Sequence, residues 1–346
     1  MLVRAIILCF VVTARADRAA EDNMWTSTYK EVYSSGQMIN NGHKKEVVFT
    51  NIDTIPFTQL IFSWNAVRPA RGFFSFYIQV RDAKTKKWYD WHKMVEWGNG
   101  IQRSFQSKNE GSEFCYARLE LRNYKNADAF RIKVLTQESQ DLSLVKALIA
   151  SVSHSGEFIS EKYADRGRGL ETFVLKGIPL ASQFLVDHPR ADSLCSPTST
   201  SMMVGALKGK KIDPLQFANY VYDDGLNQFG NWTFNTAHAY EHCDEKVLFY
   251  ATRLNSFTEL YDILRKKIPV VVSVRGPLKD APRAYLGGHL LLVVGWDEQE
   301  QKVLCHDPAF ETEEEVFMAY DIHEFVTAWE RSRRMTYKPH LLVDLS

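Results

Sequence analysis

The sequence predicts a two-domain protein in which an all-β sandwich, of jelly-roll or immunoglobulin-like type, precedes an α+β domain. The first domain is placed at residues 24–150, where strand-like runs fill residues 24–137 and no helical period interrupts them. Over residues 171–346, helical runs come first and apolar strands follow. The chain has 346 residues, 45% of them hydrophobic and 13% aromatic, which is enough apolar material for two cores.

The first residues have the pattern of an export signal. Arg4 precedes an apolar run over residues 5–12, and Ala14-Arg15-Ala16 fits the small-x-small pattern of a signal peptidase site. The apolar run is far shorter than the ~20 residues that span a bilayer. We therefore expect residues 1–16 to be a signal peptide and the protein to be exported to the periplasm, the cell surface or the medium, with no membrane span.

The charge balance argues against a nucleic-acid partner. Forty-two basic residues match forty-two acidic ones, and the sequence has no long basic run. A nucleic-acid binder is expected to carry a basic patch or stripe.

Four cysteines follow the predicted signal, namely Cys115, Cys195, Cys243 and Cys305. They are too few for a disulfide scaffold in a chain of this length, and none belongs to a CxxC pair. If one of them is catalytic, the other three allow at most one disulfide.

The first domain contains three runs that predict strands: "KEVVFTNI", "FTQLIFSW" and "FFSFYIQV". One alternating face of the third run consists of Phe74, Phe76, Ile78 and Val80. The later runs "SEFCYARLEL" and "AFRIKVL" predict two more strands. Because successive strand residues point to opposite faces, the alternating apolar face is expected to be buried.

An aromatic cluster lies within "KWYDWHKMVEWG" and consists of Trp88, Tyr89, Trp91 and Trp97. If exposed, it would form a platform for stacking on sugar rings, which suggests glycan contact. The favoured alternative is that these rings fill the core or cover the domain interface.

The stretch "ADRGRG", residues 164–169, suits the end of a linker, which we place at residues 151–170. The next domain is predicted to have three capped helix starts: Asp213 before Pro214, Ser256 with Glu259, and Asp321 with Glu324. Its predicted strands are "IPVVVSVRG", "GGHLLLVVGWD", "QKVLCHDPAF" and, last, "HLLVDL".

The stretch "CSPTSTSMMVGALKG" predicts a helix that starts at or just after Cys195. Pro197 fits its first turn, and Gly209 fits its end. The positive end of a helix and its unpaired N–H groups stabilise a thiolate, which lowers the thiol pKa from ~8.5. A lone cysteine among apolar residues is more often part of a core, so this assignment depends on partners.

His289 is the best-placed base, because it follows Gly287-Gly288 and starts an apolar strand. The turn before it is small enough to let a substrate approach. Asp307 ends the next strand, and the short connection "DEQEQ" predicts that the two strands are adjacent and antiparallel. Asp307 would then orient the His289 imidazole, although each residue taken alone has a structural alternative.

Gln183 precedes Cys195 by twelve residues in "IPLASQF". Its amide N–H₂ and the backbone N–H of Cys195 are candidates to bind the oxyanion of a tetrahedral intermediate.

His306 adjoins Cys305 and Asp307, which suggests a zinc site together with Cys195 or His289. Alternation sends His306 to the face opposite Asp307, and no pair has the usual ligand spacing. We therefore expect neither a metal nor an organic cofactor.

The chain resembles the papain-like cysteine peptidases of the bacteriocin-processing type, which are the double-glycine leader peptidase family and its secreted bacterial relatives. Three stretches in this order carry the resemblance: "CSPTSTSMM", "GGHLLLVVGWD" and "HDPAF". The resemblance covers residues 175–335 and implies a papain-like fold for the second domain. It implies Cys195 as nucleophile, His289 as general base, Asp307 as the residue that orients it, and Gln183 as oxyanion donor.

Two features depart from the family. Ser196 stands where glycine is common and would add a side chain near the scissile bond, and the spacing from Gln183 to Cys195 is long. The stretch "FGNWTFNTAHAY" also resembles secreted bacterial members and suggests that Trp232 borders the groove, although a core tryptophan is an equal alternative. The predicted substrate contacts are Trp232, Ser196 and Gly288.

The sequence thus predicts an exported cysteine peptidase that hydrolyses a peptide or isopeptide bond, with a peptide, protein or cell-wall peptide as substrate. One alternative is an acyl transferase or amidase with the same triad. The other is a non-catalytic surface or glycan-binding protein with a vestigial triad.

Overall fold

The computed structural model describes residues 24–33, 46–137, 141–243 and 246–342. The predicted signal peptide, residues 1–16, lies outside these ranges. The described residues form a mixed α/β structure with five α-helices, in agreement with the predicted mixture of helices and strands. None of these helices is long and apolar enough to cross a membrane.

The N-terminal part contains eleven strands and, within its described residues, no α-helix. The strands are β1 (Thr26–Val32), β2 (Glu46–Asn51), β3 (Gln59–Ala66), β4 (Phe73–Asp82), β5 (His92–Gly98), β6 (Ile101–Ser104), β7 (Ser107–Lys108), β8 (Ser112–Cys115), β9 (Arg118–Leu121), β10 (Ala127–Thr136) and β11 (Val145–Ser153).

These strands form two antiparallel sheets. The six-stranded sheet has the order β1-β11-β3-β9-β8-β7, and the five-stranded sheet has the order β2-β10-β4-β5-β6. The alternating face predicted in β4 is buried, since Phe74, Phe76, Ile78 and Val80 are each at most 1% exposed. Aromatic rings of the two sheets are in contact: the Phe62 ring of β3 lies 5.3 Å from that of Phe76 in β4.

The C-terminal part is built on a seven-stranded sheet in the order β13-β18-β14-β15-β16-β17, with β12 paired to β15. Its strands are β12 (Phe173–Val174), β13 (Val247–Arg253), β14 (Val270–Gly276), β15 (Tyr285–Asp297), β16 (Lys302–His306), β17 (Phe317–Asp321) and β18 (Met335–Leu341). The helices are α1 (Cys195–Lys208), α2 (Pro214–Val221), α3 (Trp232–His242), α4 (Phe257–Arg265) and α5 (Ile322–Arg331).

Helices α2, α4 and α5 begin where the sequence predicts. The Asp213 side chain caps α2 through the N–H of Leu215, and Ser256 Oγ caps α4 through the N–H of Glu259. Asp321 accepts from the first N–H groups of α5. Each cap satisfies donors that the helix itself leaves unpaired.

The last strand differs from the prediction. β18 runs from Met335 to Leu341, whereas "HLLVDL" begins at residue 340 and ends beyond the described residues. Arg333 and Arg334 both have a positive φ, so the chain reverses directly after α5 and the strand starts earlier than the apolar run.

The two parts meet at β13, which is the edge strand of the C-terminal sheet. The Asn65 side chain in β3 donates to the carbonyl of Phe249 (2.7 Å) and accepts from its N–H (2.8 Å). Ser63 Oγ accepts from the N–H of Ala251 (3.0 Å). Side chains of the N-terminal sheet therefore pair the free edge that β13 would otherwise expose.

The aromatic cluster does not form an exposed platform. Trp97 is fully buried and Tyr89 is 3% exposed, so both belong to the core. Trp88 and Trp91 are half-buried, with the cations of Arg131 and Lys133 over their rings. The structure therefore gives no support to the predicted glycan contact and favours the core-filling alternative.

The segment predicted as a linker begins inside a strand, since residues 151–153 are the end of β11. Further on, Arg166 is 5% exposed and donates to Glu330 in α5. This segment is therefore packed against the C-terminal part.

Candidate active site

Cys195 is the first residue of α1, as the sequence predicts. Leu194, directly before it, is fully buried and packs with Ala218 and Phe229, which fixes the position of the helix start. Gly209 ends the helix with a φ of 64°. Cys195 itself is half-buried. Its sulfur lies at the start of a helix whose position is fixed by the packing of Leu194.

The groups that stabilise a thiolate at Cys195 are the His289 side chain and the backbone N–H groups of Leu290 and Ser196. Burial alone raises the pKa of the thiol, but the hydrogen bond and charge of His289, with the two N–H groups, outweigh it. The net result is a pKa below that of an ordinary thiol, so the site favours a thiolate.

His289 lies in β15, opposite Val274 of β14, and is 4% exposed. Its Nε2 lies 2.7 Å from Oδ1 of Asp307, which leaves Nδ1 for the Cys195 sulfur. Burial lowers the pKa of the imidazole, but the charge and hydrogen bond of Asp307, with those of Cys195, raise it to about 9. His289 therefore carries a proton at neutral pH when Cys195 is a thiolate.

Asp307 directly follows β16, which pairs with β15 in the antiparallel register that the sequence predicts. The residue is fully buried. Burial raises the pKa of its carboxyl group, but the charge of His289 and several hydrogen bonds bring it below the ordinary value. Besides His289, the donors are Ala309 N–H to Oδ1 (3.0 Å) and the hydroxyls of Tyr285 (2.6 Å) and Tyr320 (2.7 Å) to Oδ2.

Sequence reasoning missed Tyr285 and Tyr320. The Tyr285 ring also stacks on the His289 imidazole, with ring centroids 4.0 Å apart and an interplanar angle of 16°. Tyr285 lies four residues before His289 in one strand, and that even spacing was a usable signal. Tyr320 lies in β17, and nothing local in the sequence connects it to Asp307.

Gly288 lies in an irregular part of β15. Val274 pairs with His289 and Gly276 pairs with Tyr285, so Arg275 alone faces residues 286–288. Gly288 has a φ of +95°, which favours glycine, and residues 286–288 are exposed. This bulge leaves open space directly before His289.

Gln183 is fully buried in a turn at Gln183–Leu185, and its backbone N–H donates to the Pro308 carbonyl. Its Nε2 donates to the carbonyl of Ala191, just before α1, at 2.9 Å. Gln183 thus bridges the segment after Asp307 and the segment before Cys195. One hydrogen of Nε2 is donated to Ala191, and no described residue accepts the second.

Two of the predicted substrate contacts are placed elsewhere. The Ser196 side chain is fully buried and bonded to the hydroxyl of Tyr337 (2.9 Å), so only its backbone N–H faces the site. The Trp232 ring lies under the guanidinium of Arg118 in β9, 5.9 Å away, and packs on the core. The alternative of a core tryptophan at a helix start therefore accounts for Trp232.

The other cysteines and His306 form no second site. Cys115, Cys195 and Cys305 are free thiols. Burial lowers the pKa of His306 to about 4, and its ring lies near that of Phe317. Within the four described ranges, no group of three or more His, Cys, Asp or Glu side chains is arranged to hold a metal ion.

The site lies within a segment that is similar to a known protein family. Residues 175–337 match the Peptidase_C39 like family, which confirms the predicted resemblance to papain-like cysteine peptidases over this part of the chain. A protein from Bacillus anthracis, whose crystal structure is described as that of a C39-like peptidase, is 19% identical. Its alignment covers 49% of this chain and 99% of that chain, with a TM-score of 0.37. No curated protein matches the chain.

Proposed function

Because residues 175–337 carry a segment of the Peptidase_C39 like family, we propose that the chain is a cysteine peptidase that hydrolyses a peptide or isopeptide bond through Cys195. The observation that supports this most is the chain of contacts from the Cys195 sulfur through His289 to Asp307. A nucleophile, a base and a residue that orients the base are the three parts that such catalysis needs.

In the first half of the reaction, the Cys195 thiolate attacks the substrate carbonyl carbon and an S–C bond forms. The tetrahedral intermediate collapses when its C–N bond breaks, and the leaving amine takes the proton from Nδ1 of His289. In the second half, the neutral imidazole accepts a proton from water, whose oxygen attacks the thioester. The C–S bond breaks, the acid leaves, and the thiolate–imidazolium pair is restored.

The oxyanion of both intermediates needs donors beside the sulfur. The second hydrogen on Gln183 Nε2 and the backbone N–H of Cys195 are the proposed donors. The Nε2–Ala191 bond supports this role, because it fixes the side-chain amide while leaving one N–H unused. The positive end of α1 adds to the stabilisation of the negative charge.

We also propose the finer features of the architecture. The ring contacts between the two N-terminal sheets, such as Trp64 with Phe76 at 4.8 Å, support a β-sandwich. The basic and apolar start with its Ala14-Arg15-Ala16 motif supports export.

The test is the rate of Cys195 alkylation by iodoacetamide between pH 4 and 10. Wild-type protein is compared with His289→Ala, with Cys195→Ala as the blank and His323→Ala, a histidine outside the site, as the matched control. We expect Cys195 to react well below the ordinary thiol pKa of ~8.5 in wild type and in His323→Ala. In His289→Ala the reaction should begin only near that value.

Labelling that begins only near the ordinary thiol pKa in wild type, and ignores His289, would contradict the proposal and favour a binding protein with a vestigial triad. If the thiolate is present, peptide libraries with and without an added amine then distinguish hydrolysis from acyl transfer by the mass of the product.

A further inference from the structure

The contact between Tyr285 and His289 is unusual for residues four apart in one strand. A regular strand rises ~3.3 Å per residue, so such residues are separated by about 13 Å along the chain direction. The two ring centroids are only 4.0 Å apart and nearly parallel. A local distortion must therefore fold Tyr285 back over the imidazole.

The bulge in β15 supplies this distortion. Between the pairs Val274–His289 and Gly276–Tyr285, β14 has one residue and β15 has three. Tyr285 and His289 therefore stand opposite positions only two residues apart in β14, and their side chains point to the same face. The positive φ of Gly288 is part of the same irregularity.

The stacked ring also reaches the third member of the triad. The Tyr285 hydroxyl donates to Oδ2 of Asp307, and Tyr320 donates to the same oxygen from β17. Because His289 and Ala309 occupy Oδ1, the carboxylate has two donors on each oxygen. A carboxylate accepts about four hydrogen bonds, so its capacity is filled.

We propose that Tyr285 is a positioning residue of the active site, which clamps the His289 ring by stacking and, with Tyr320, keeps Asp307 in its charged form by hydrogen bonding. This inference rests on the proposed function, because it assigns a role within the Cys195–His289–Asp307 site. The bulge at residues 286–288 is the backbone irregularity that brings the Tyr285 ring onto the His289 ring.

The surroundings of Asp307 explain why the hydroxyls matter. Its titratable neighbours are His289 and Tyr285 from β15, Tyr320 from β17 and Cys305 from β16. Arg283 acts on Tyr285, and Cys195 acts through His289. Since the carboxyl is fully buried, losing a donor to its charged form raises its pKa. A neutral Asp307 no longer stabilises the imidazolium, so the proton returns from His289 to the Cys195 sulfur.

The test follows the acid limb of Cys195 alkylation, the pH range over which reactivity disappears on acidification. Tyr285→Phe keeps the stacked ring and removes one donor, and Tyr320→Phe removes the other. Each variant should move the acid limb upward by about one pH unit, and the double variant should move it further. Tyr261→Phe is the matched control, because it removes a buried tyrosine hydroxyl that donates to the Glu171 carbonyl and not to Asp307.

The inference would be overturned if Tyr285→Phe and Tyr320→Phe lowered the alkylation rate by the same factor at every pH and left the acid limb unmoved. That result would indicate a loss of packing in the site and no change in the charge of Asp307. The same holds if Tyr261→Phe moves the acid limb equally. A wild-type protein with no reactivity below the ordinary thiol range overturns the proposed function and this inference together. The wild-type curve thus separates the two failures.

Discussion

Arg166 and Glu330 form an ion pair that is almost closed to solvent: Nη2 of Arg166 lies 3.2 Å from Oε2 of Glu330, and the two side chains are 3% and 7% exposed. Arg334 donates to the other carboxylate oxygen. The pair joins the segment after β11 to α5, and one carboxylate is bonded to two buried cations.

Removing this carboxylate should strongly destabilise the protein. Glu330→Ala removes the carboxylate that is hydrogen-bonded to both buried guanidinium groups, and we expect the free energy of unfolding to fall by about 3–5 kcal/mol. Urea unfolding followed by circular dichroism measures the change. Glu314→Ala, at an exposed glutamate, is the control and should change the stability by less than ~0.5 kcal/mol. Equal stability in the two variants would refute the prediction.

The titration of His289 should depend on both of its partners. We expect a wild-type midpoint near 9, because the anionic partners hold the proton on the imidazole. Loss of either anion lowers this pKa, and Asp307→Asn should lower it more than Cys195→Ala because the contribution of Asp307 is larger. NMR of isotopically labelled histidine gives the midpoints. The reverse order of the two variants contradicts this ranking.

The sign of the pH dependence follows from the same pKa. A raised folded-state pKa of His289 contributes stability that is full below the unfolded value of ~6.5 and is lost as the pH rises through about 9. Hydrolysis should weaken over the same upper range, since the leaving amine then lacks its proton donor. The Tm and the rate of peptide cleavage, each measured from pH 6 to 10, test these two declines.

Two adjacent glycines provide a matched pair in the bulge. Gly288 has a φ of +95°, so Gly288→Ala should cost about 1–3 kcal/mol in backbone strain and displace His289. Gly287 has no such φ, and a methyl group there meets no atom within 4 Å, so Gly287→Ala should be tolerated. The readouts are the Tm and Cys195 alkylation at pH 6. A normal alkylation rate in Gly288→Ala would show that the backbone conformation is not needed.

The Asn65 side chain should contribute to the stability of the contact between β3 of the N-terminal part and β13 of the C-terminal part. Asn65→Leu keeps the size but leaves the N–H and carbonyl of Phe249 buried without their partner, at a cost of about 2–4 kcal/mol. Gln106→Leu, at an exposed amide, is the comparison. Chemical unfolding of both variants gives the difference, and an Asn65→Leu protein as stable as wild type would show that the joint is held by apolar packing alone.

Local signals explain why much of the site was predictable. Pro197 and Gly209 bracket α1, and the apolar runs of β15 and β16 with a short connection predict their antiparallel pairing. From these elements alone the sequence places Cys195, His289 and Asp307 at one end of a helix and two strands. Such predictions need only capping chemistry and strand geometry.

The rest depends on contacts between residues far apart in the chain. The pairing of Tyr320 with Asp307 requires the register of β17, and the direction of Ser196 is set by Tyr337 in β18. Trp232 faces β9 of the N-terminal part, which no local pattern reveals. The two glycines before His289 predict only a small turn. The bulge there, and the stacking of His289 on Tyr285, depend on the pairing of β15 with β14.

The joint at β13 also bears on the order in which the chain is made. Asn65 and Phe249 are 184 residues apart, and the Trp64 ring next to Asn65 packs on Phe234, which is likewise synthesised late. Synthesis proceeds from the N-terminus at about 5–20 residues per second. For about 10–40 seconds, then, the Asn65 amide has no partner on β13, and the Trp64 indole packs only on rings of the N-terminal part, such as those of Phe76 and Trp97.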